Sequence, residues 1–291
     1  MGETAVISSL HNQFIKLVRK LYTKQGRKKE NLIPLEGVRF IEGARDAGAV
    51  LELLLYSPEV TTGNRRAAQL VEDLRGLGVP TYEVESALLN SVSATETPQG
   101  LICAARPPHF TVDDLVQGSM AGAAGRSGNT GAPGPGRHLL IVGDGISDPG
   151  NVGTIVRTAA AAGARGVILT DGSVDPFSPK ALRATAGAVF SVPIALCGGL
   201  EGLLGSLREV GYTSVASSLS AAHYHFEVDY PIATAFLLGN EGHGLAKWVE
   251  GLTDISVKLP LVGEVESLNV AITSGVLVYE YLRQHHQSLS L

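Results

Sequence analysis

PLVGEVESLNVAITSGVLVYE, residues 260–280, is the stretch on which the reading of this chain turns, together with LLGNEGHGL at 237–245. Each joins an apolar run to a turn of glycine, asparagine, serine or glutamate. A core needs apolar periodicity. It does not need Asn-Glu-Gly after a strand or Ser-Leu-Asn at the start of a helix. Polar groups at strand ends and helix starts are where small-molecule sites are built in α/β sheets. The last third of the chain therefore reads as a ligand site.

Working outward, the segments from 138 onward alternate. HLLIVGDGI reads as a strand, NVGTIVRTAAAAGA as a helix ending at Gly163, and GVILTDG as a strand. A helix is expected over 179–187, then the strand VPIAL, the helix LEGLLGSLREVG and the strand YTSVASSL. TAFLLGNEGHGL follows as strand and turn, ISVKLP as a short strand, and 267–286 as a long helix. Such alternation implies a largely parallel sheet covered on both faces. Upstream, residues 30–110 read as a smaller α/β unit. QGSMAGAAGRSGNTGAPGPGR at 117–137 is too rich in Gly, Ala, Ser and Pro to build a core, so 111–137 reads as a linker. The expected organisation is an arm over 1–29, a unit over 30–110, the linker, and a second unit over 138–291.

The 291-residue chain has a net charge of −5, unpromising for a nucleic-acid partner. The distribution changes that reading. Residues 1–40 carry eight Lys/Arg against three Asp/Glu, while residues 139–291 carry eight against fourteen. The spacing of Leu10, Phe14, Leu17, Val18 and Leu21 predicts an amphipathic helix over 8–24, and QGRKKENLIPLEG a basic loop leading into a strand. Lys16, Arg19, Lys20, Lys24, Arg27, Lys28, Lys29 and Arg39 are the candidate phosphate contacts. A solvated helix face with a basic turn explains the same charges. The apolar runs are short and interrupted, so no membrane span is expected. Cys103 and Cys197 lie far apart in apolar contexts and read as reduced thiols of a cytoplasmic protein.

Three blocks carry the chemistry. In DGISDPGNVGTIVRT, 144–158, a strand ends, an Asp-Pro-Gly turn follows, and a helix begins near Asn151; Arg157 lies six residues on. Read separately, Asn151 is a helix cap and Arg157 a surface residue. In LLGNEGHGL, glycines let backbone approach a ligand, or simply make a turn. In LPLVGEVESLNVAITSG, Ser267 and Asn269 open a helix whose free N–H groups suit an electron-rich group, or are ordinary caps. No G-x-G-x-x-G follows a strand, which argues against a Rossmann-type fingerprint. His223-Tyr224-His225 and His285-His286 lack partners at metal spacing, so no metal is expected.

In this order and spacing the blocks resemble the motifs of the SpoU/TrmH family of RNA ribose 2′-O-methyltransferases, within the SPOUT superfamily. The resemblance rests on Asn151 and Arg157, Gly239-Asn240-Glu241-Gly242 with Gly244-Leu245, and Pro260 with Ser267-Leu268-Asn269-Val270. DPFSPKALRATAGAVFSVP at 175–193 is similar too, and LEGVRFIEGA and TPQGLICA extend the likeness into the first unit. It implies an α/β fold with a C-terminal trefoil-knotted parallel-sheet domain and a smaller N-terminal RNA-binding domain. It implies S-adenosylmethionine as cofactor, enclosed by backbone around Leu238, Gly239 and Asn240, around Leu259, Pro260 and Leu261, and at Leu268. It implies a homodimer in which Asn151 and Arg157 of one subunit stand near the other's cofactor. The expected catalytic set is Arg157, Asn151, Glu241, Ser267 and Asn269, acting on RNA, with ribosomal RNA favoured. A transfer-RNA substrate, or a non-catalytic RNA-binding or assembly factor that kept the fold, are the alternatives.

Overall fold

The structure, a computed structural model, describes residues 6–95, 97–117 and 138–285. It divides into two compact units, the first running to Pro107 and the second taking in most of the chain from Pro108 on.

The first unit begins with α1 (Gln13–Leu21) and α2 (Lys24–Glu30), followed by β1 (Ile33–Glu36), α3 (Val38–Asp46), β2 (Leu51–Tyr56), α4 (Pro58–Gly63), α5 (Arg65–Gly76), β3 (Thr81–Glu83), α6 (Ser86–Val92) and β4 (Leu101–Ala105). The sheet order is β1-β4-β2-β3, with β4 antiparallel to both neighbours and β2 parallel to β3. Asn12 caps α1 by accepting from Phe14 N at 2.8 Å. Its buried side is Ile15, Val18 and Leu21, whereas Leu10 is exposed. Phe14, Leu17, Val18 and Leu21 of the expected stripe do face the core. Leu10 alone falls outside it, because the helix starts after that residue, and the fully buried members of the face are Ile15, Val18 and Leu21.

These three residues join the core formed by Leu53, Leu55, Leu89 and Ile102. Full burial of such side chains stabilises by roughly 1.5–3 kcal/mol each. The segment expected to stand apart as a basic arm is therefore built into the first unit. Within 25–37 the expected strand is β1, but the basic loop expected to lead into it is corrected, since Lys24–Glu30 is helical. Gly26 makes this possible: a Cβ there would lie 2.0 Å from Lys20 O, so only glycine lets α2 turn back on the end of α1. Arg27 is only 7% exposed, and its Nη1 donates to Leu21 O at 2.9 Å. Committed to a backbone carbonyl inside the fold, it is removed from the candidate phosphate contacts. Lys16, Arg19, Lys20, Lys24, Lys28, Lys29 and Arg39 are exposed, with Lys20 paired to Glu30 at 3.1 Å.

The second unit opens with α7 (Val112–Val116), where a linker was expected. Thr111 and Asp114 form a reciprocal cap, and Phe110, Leu115 and Val116 enter the core of the second unit. The remainder of the expected linker, 118–137, lies outside the described residues, as do residues 1–5. Then follow β5 (His138–Gly143), α8 (Pro149–Ala161), β6 (Gly166–Thr170), α9 (Pro179–Thr185), β7 (Ile194–Cys197), α10 (Leu200–Glu209), β8 (Thr213–Ser217), β9 (His223–Tyr224), β10 (Ala233–Leu238), α11 (Lys247–Glu250), β11 (Ile255–Lys258) and α12 (Val270–Gln284). All pairings in the seven-stranded sheet are parallel, in the order β7-β6-β5-β10-β8-β11-β9. The nearly unbroken apolar runs of β5, β6 and β10 fit strands buried on both faces. β5 runs onward to β6 and β7 on one side and has β10 on the other. The strand order thus reverses between β5 and β10, whose ends are level at Gly143 and Leu238. Crevices outside the carboxyl ends of strands at such a reversal are where α/β sheets bind ligands.

Candidate active site

At that reversal the loops after β5 and β10 are bonded together. Asp144 N donates to Leu238 O at 2.8 Å, and Asn240 Nδ2 donates to Gly145 O at 2.7 Å. The loop after β10 closes on itself through Asn240 N to Gly244 O at 3.2 Å and Gly244 N to Asn240 O at 2.9 Å. Asn240 Oδ1 accepts from Gly242 N at 2.9 Å and His243 N at 3.3 Å. Gly239 is required here, since a Cβ would lie 2.1 Å from Gly244 C.

Glu241, the next residue of that loop, reaches back to the first motif. Its carboxylate accepts from Ser147 N at 3.0 Å, Ser147 Oγ at 2.8 Å, Asp148 N at 3.1 Å and Asn151 Nδ2 at 2.8 Å. Partial burial pushes its pKa up, but hydrogen bonds from Asn151 and from the Ser147 and Asp148 amides outweigh this and hold it at about 2. Glu241 is thus a fixed anion at neutral pH and an anchor for the start of α8.

The helix cap expected at Asn151 belongs to Asp148, whose Oδ1 accepts from Asn151 N at 3.0 Å, with Pro149 in the first turn. Asp-Pro is a helix-start signature that the sequence displayed. Relieved of capping, the Asn151 side chain bridges two motifs: it donates to Glu241, and its Oδ1 accepts from Asn269 Nδ2 at 2.8 Å. Asn269 in turn caps α12, accepting from Ala271 N at 2.9 Å and Ile272 N at 3.3 Å. Glu241, Asn151 and Asn269 therefore form one continuous chain drawn from all three motifs.

Two members of the expected catalytic set lie outside this chain. Ser267 is exposed two residues before the cap, with no hydrogen bond among the described residues, so it does not open α12. Arg157 is also exposed, with no hydrogen bond or ion pair among the described residues. Six residues at roughly 100° each place it about 120° around α8 from Asn151. It stands on a different face of the helix from the Glu241–Asn151–Asn269 chain. Ser147, Asp148 and Gly145 were not singled out in the sequence; their part is visible only once Glu241 and Asn240 are seen to bond to them.

The residues expected around a cofactor share the carboxyl edge of the sheet. Leu238–Asn240 follow β10, and Leu259–Leu261 follow β11. Peptide groups from 259 to 268 take no backbone hydrogen bond among the described residues. Ten largely exposed residues whose peptide groups are left unpaired by the backbone fit a ligand held by main-chain contacts. Among the described residues no group of three His, Cys, Asp or Glu could hold a metal, and no helix is long and apolar enough to cross a membrane.

Comparison with known proteins agrees with this geometry. Residues 138–279 match the SpoU rRNA Methylase family, and residues 12–103 match the MRM3-like substrate binding domain. An uncharacterized tRNA/rRNA methyltransferase of Synechocystis is 32% identical over 97% of this chain and 95% of its own length. A 23S rRNA guanosine 2′-O-methyltransferase of Bacillus subtilis is 30% identical over 94% of this chain and 97% of its own. The crystal structure of an AdoMet-bound rRNA methyltransferase from Sinorhizobium meliloti superposes with a TM-score of 0.81 at 28% identity, covering 97% of this chain and 98% of that one. With its three motifs joined at the reversal of a parallel sheet, and relatives of this likeness along nearly its whole length, the chain belongs to the SpoU family of RNA methyltransferases.

Proposed function

We propose that this protein transfers a methyl group from S-adenosylmethionine to a ribose 2′-hydroxyl of ribosomal RNA, in the cytoplasm. The observation that carries the reading is the Glu241–Asn151–Asn269 chain, which ties all three motifs to the carboxyl edge where the free peptide groups of 259–268 lie. S-adenosylmethionine, held by main-chain groups of Leu238–Asn240, Leu259–Leu261 and Leu268, supplies an activated methyl on a sulfonium. The chain's own residues must align the acceptor and make its hydroxyl nucleophilic.

Arg157 carries the second task. A guanidinium does not give up its proton near neutral pH, so it does not act as a base. It grips the phosphate beside the target ribose and polarises the hydroxyl, while a phosphate oxygen or water takes the proton. Ser267 lies in the exposed loop before Asn269, where it meets the ribose.

Arg157 reaches the site from a second subunit. Its support is the absence of any partner for Arg157 among the described residues of its own chain. Ile272 and Tyr279, seven residues apart on α12, also form an exposed apolar stripe on the helix that packs against α8. Two copies meeting on α8 and α12 bury the stripe and bring each Arg157 to the other's carboxyl edge. The knotted threading implied by the family likeness belongs to the same reading. It is supported by α12 returning to pack on α8 after β11 has been laid on the far side of β8.

The test is methyl transfer from labelled S-adenosylmethionine to ribosomal RNA, with 2′-O-methyl mapping and sedimentation of the protein. A single ribose-methylated nucleotide and a dimer are expected. Methyl incorporation into a base, or none into any ribosomal RNA, overturns the reading.

A further inference from the structure

β9 is the edge strand of the sheet, and its Tyr224, with Phe226 just beyond the strand end, presents two aromatic rings that the reaction so far leaves unused. Tyr224 and Phe226 are 36% and 52% exposed. Their rings are stacked, with centroids 5.5 Å apart and planes 12° from parallel. Lys258 Nζ stands 5.1 Å from the centroid of Tyr224, a cation–π distance. The rings are pinned from several sides. Tyr224 N donates to Glu227 Oε2 at 2.8 Å, and Glu227 N donates to Tyr224 O at 2.9 Å. His225 N donates to Lys258 O at 2.9 Å, and the His225 ring packs edge-on against Phe226.

The place matters as much as the rings. Tyr224 is paired with Lys258 in the β9–β11 ladder, and Lys258 immediately precedes Leu259–Leu261. The stacked pair therefore stands at the carboxyl edge, next to the loop assigned to the cofactor. A folded RNA can offer a ribose hydroxyl to a recessed site only if nearby bases leave their stack. Unstacked bases are held on aromatic faces, sequence-tolerantly. Two rings already fixed in parallel lose little freedom when a base is added.

We propose that Tyr224, Phe226 and Lys258 form a stacking platform for an unpaired RNA base beside the methylated nucleotide, an inference that rests on the function proposed above. The exposed carboxylates of Glu227 and Asp229 follow the pair and disfavour phosphate there. The platform thus grips a base face and not the backbone, and its share of binding is insensitive to salt.

The test uses the full chain with Tyr224→Leu/Phe226→Leu, which keeps apolar bulk but removes both π-faces, and Tyr224→Phe, which keeps the ring. Steady-state methyl transfer is read at varied RNA, alongside S-adenosylmethionine binding by calorimetry. The double variant is expected to raise KM for RNA about tenfold, equivalent to about 1.4 kcal/mol. Its kcat at saturating RNA, cofactor affinity and salt slope should stay as in the wild type, and Tyr224→Phe should be near normal. An unchanged KM for RNA overturns the proposal. So does weakened cofactor binding, which makes the rings a prop for the 259–268 loop, and so does loss of the dimer, which makes them a subunit contact. An RNA carrying 2-aminopurine separates this proposal from the proposed function. Quenching by the wild type that the double variant loses sustains the platform even if no methyl is transferred; absence of quenching overturns it.

Discussion

Asn151 and Glu241, ninety residues apart in sequence, are joined by a 2.8 Å hydrogen bond from Nδ2 to Oε1. That bond holds the start of α8 against the loop after β10. Through Asn269 it continues to the start of α12. Neither side chain need touch substrate to matter, because together they set how the three motif loops stand.

Glu241→Gln removes the negative charge and leaves one acceptor oxygen for donors from Ser147, Asp148 and Asn151. Losing one or more of those bonds costs about 0.5–1.5 kcal/mol each, because the donors are exposed and water can take the place of the lost acceptor. The variant is expected to melt earlier and to lose about 10- to 100-fold in kcat/KM, the larger factor corresponding to about 2.7 kcal/mol of transition-state stabilisation. Calorimetric melting and methyl transfer check both.

Glu241 also makes stability depend on acid. Its folded pKa, about 2, lies below the ordinary 4.5. A depressed carboxyl stabilises the fold above its unfolded pKa and loses that contribution as pH falls through the folded one. Denaturant melts should show the wild type losing stability between about pH 4.5 and 2, and Glu241→Gln losing less across the same window.

Asn269→Asp separates capping from bridging. Aspartate still accepts from Ala271 N and Ile272 N but cannot donate to Asn151 Oδ1. Asn269→Ala loses both, and loss of a cap costs about 0.5–2 kcal/mol. Stability should follow Ala below Asp, with Asp near wild type. Activity should fall in both, and an Asp variant of full activity would remove the Asn151 bond from the account.

Arg157→Lys keeps the charge and loses the planar fork. With no partner in its own chain among the described residues, the change should leave the melting temperature where it is. Turnover should fall about 100-fold if the guanidinium stabilises developing charge as strongly as other positioned donors do. Near-normal turnover would sink the bidentate grip.

RNA affinity should fall steeply with salt. Deleting residues 1–29 does not test this, because Ile15, Val18 and Leu21 would leave the core with them. Replacing Lys16, Lys24 and Lys28 by Gln keeps the helices. It should flatten the plot of log affinity against log salt by roughly 0.7–0.9 for each phosphate no longer neutralised, with cofactor binding unchanged.

The alternation of elements, the parallel sheet of the second unit and the order of the three motifs were written in the sequence. Apolar runs such as HLLIVG and TAFLLG can be satisfied only by burial on both faces. Asp148-Pro149 also marks the start of α8 in local chemistry alone. Where glycine and charge pulled against a helix, as in KQGRKKE, composition misled: Gly26 serves a close backbone crossing that no local rule reveals. Tertiary structure alone decided what the polar residues do. Hydrogen bonds between Glu241 and Asn151, or Asn151 and Asn269, span 90 and 118 residues, and nothing local distinguishes a cap from a bridge. Burial alone separated Arg27, spent on a carbonyl, from the exposed lysines beside it, because charge is a property of the residue and its availability a property of the fold.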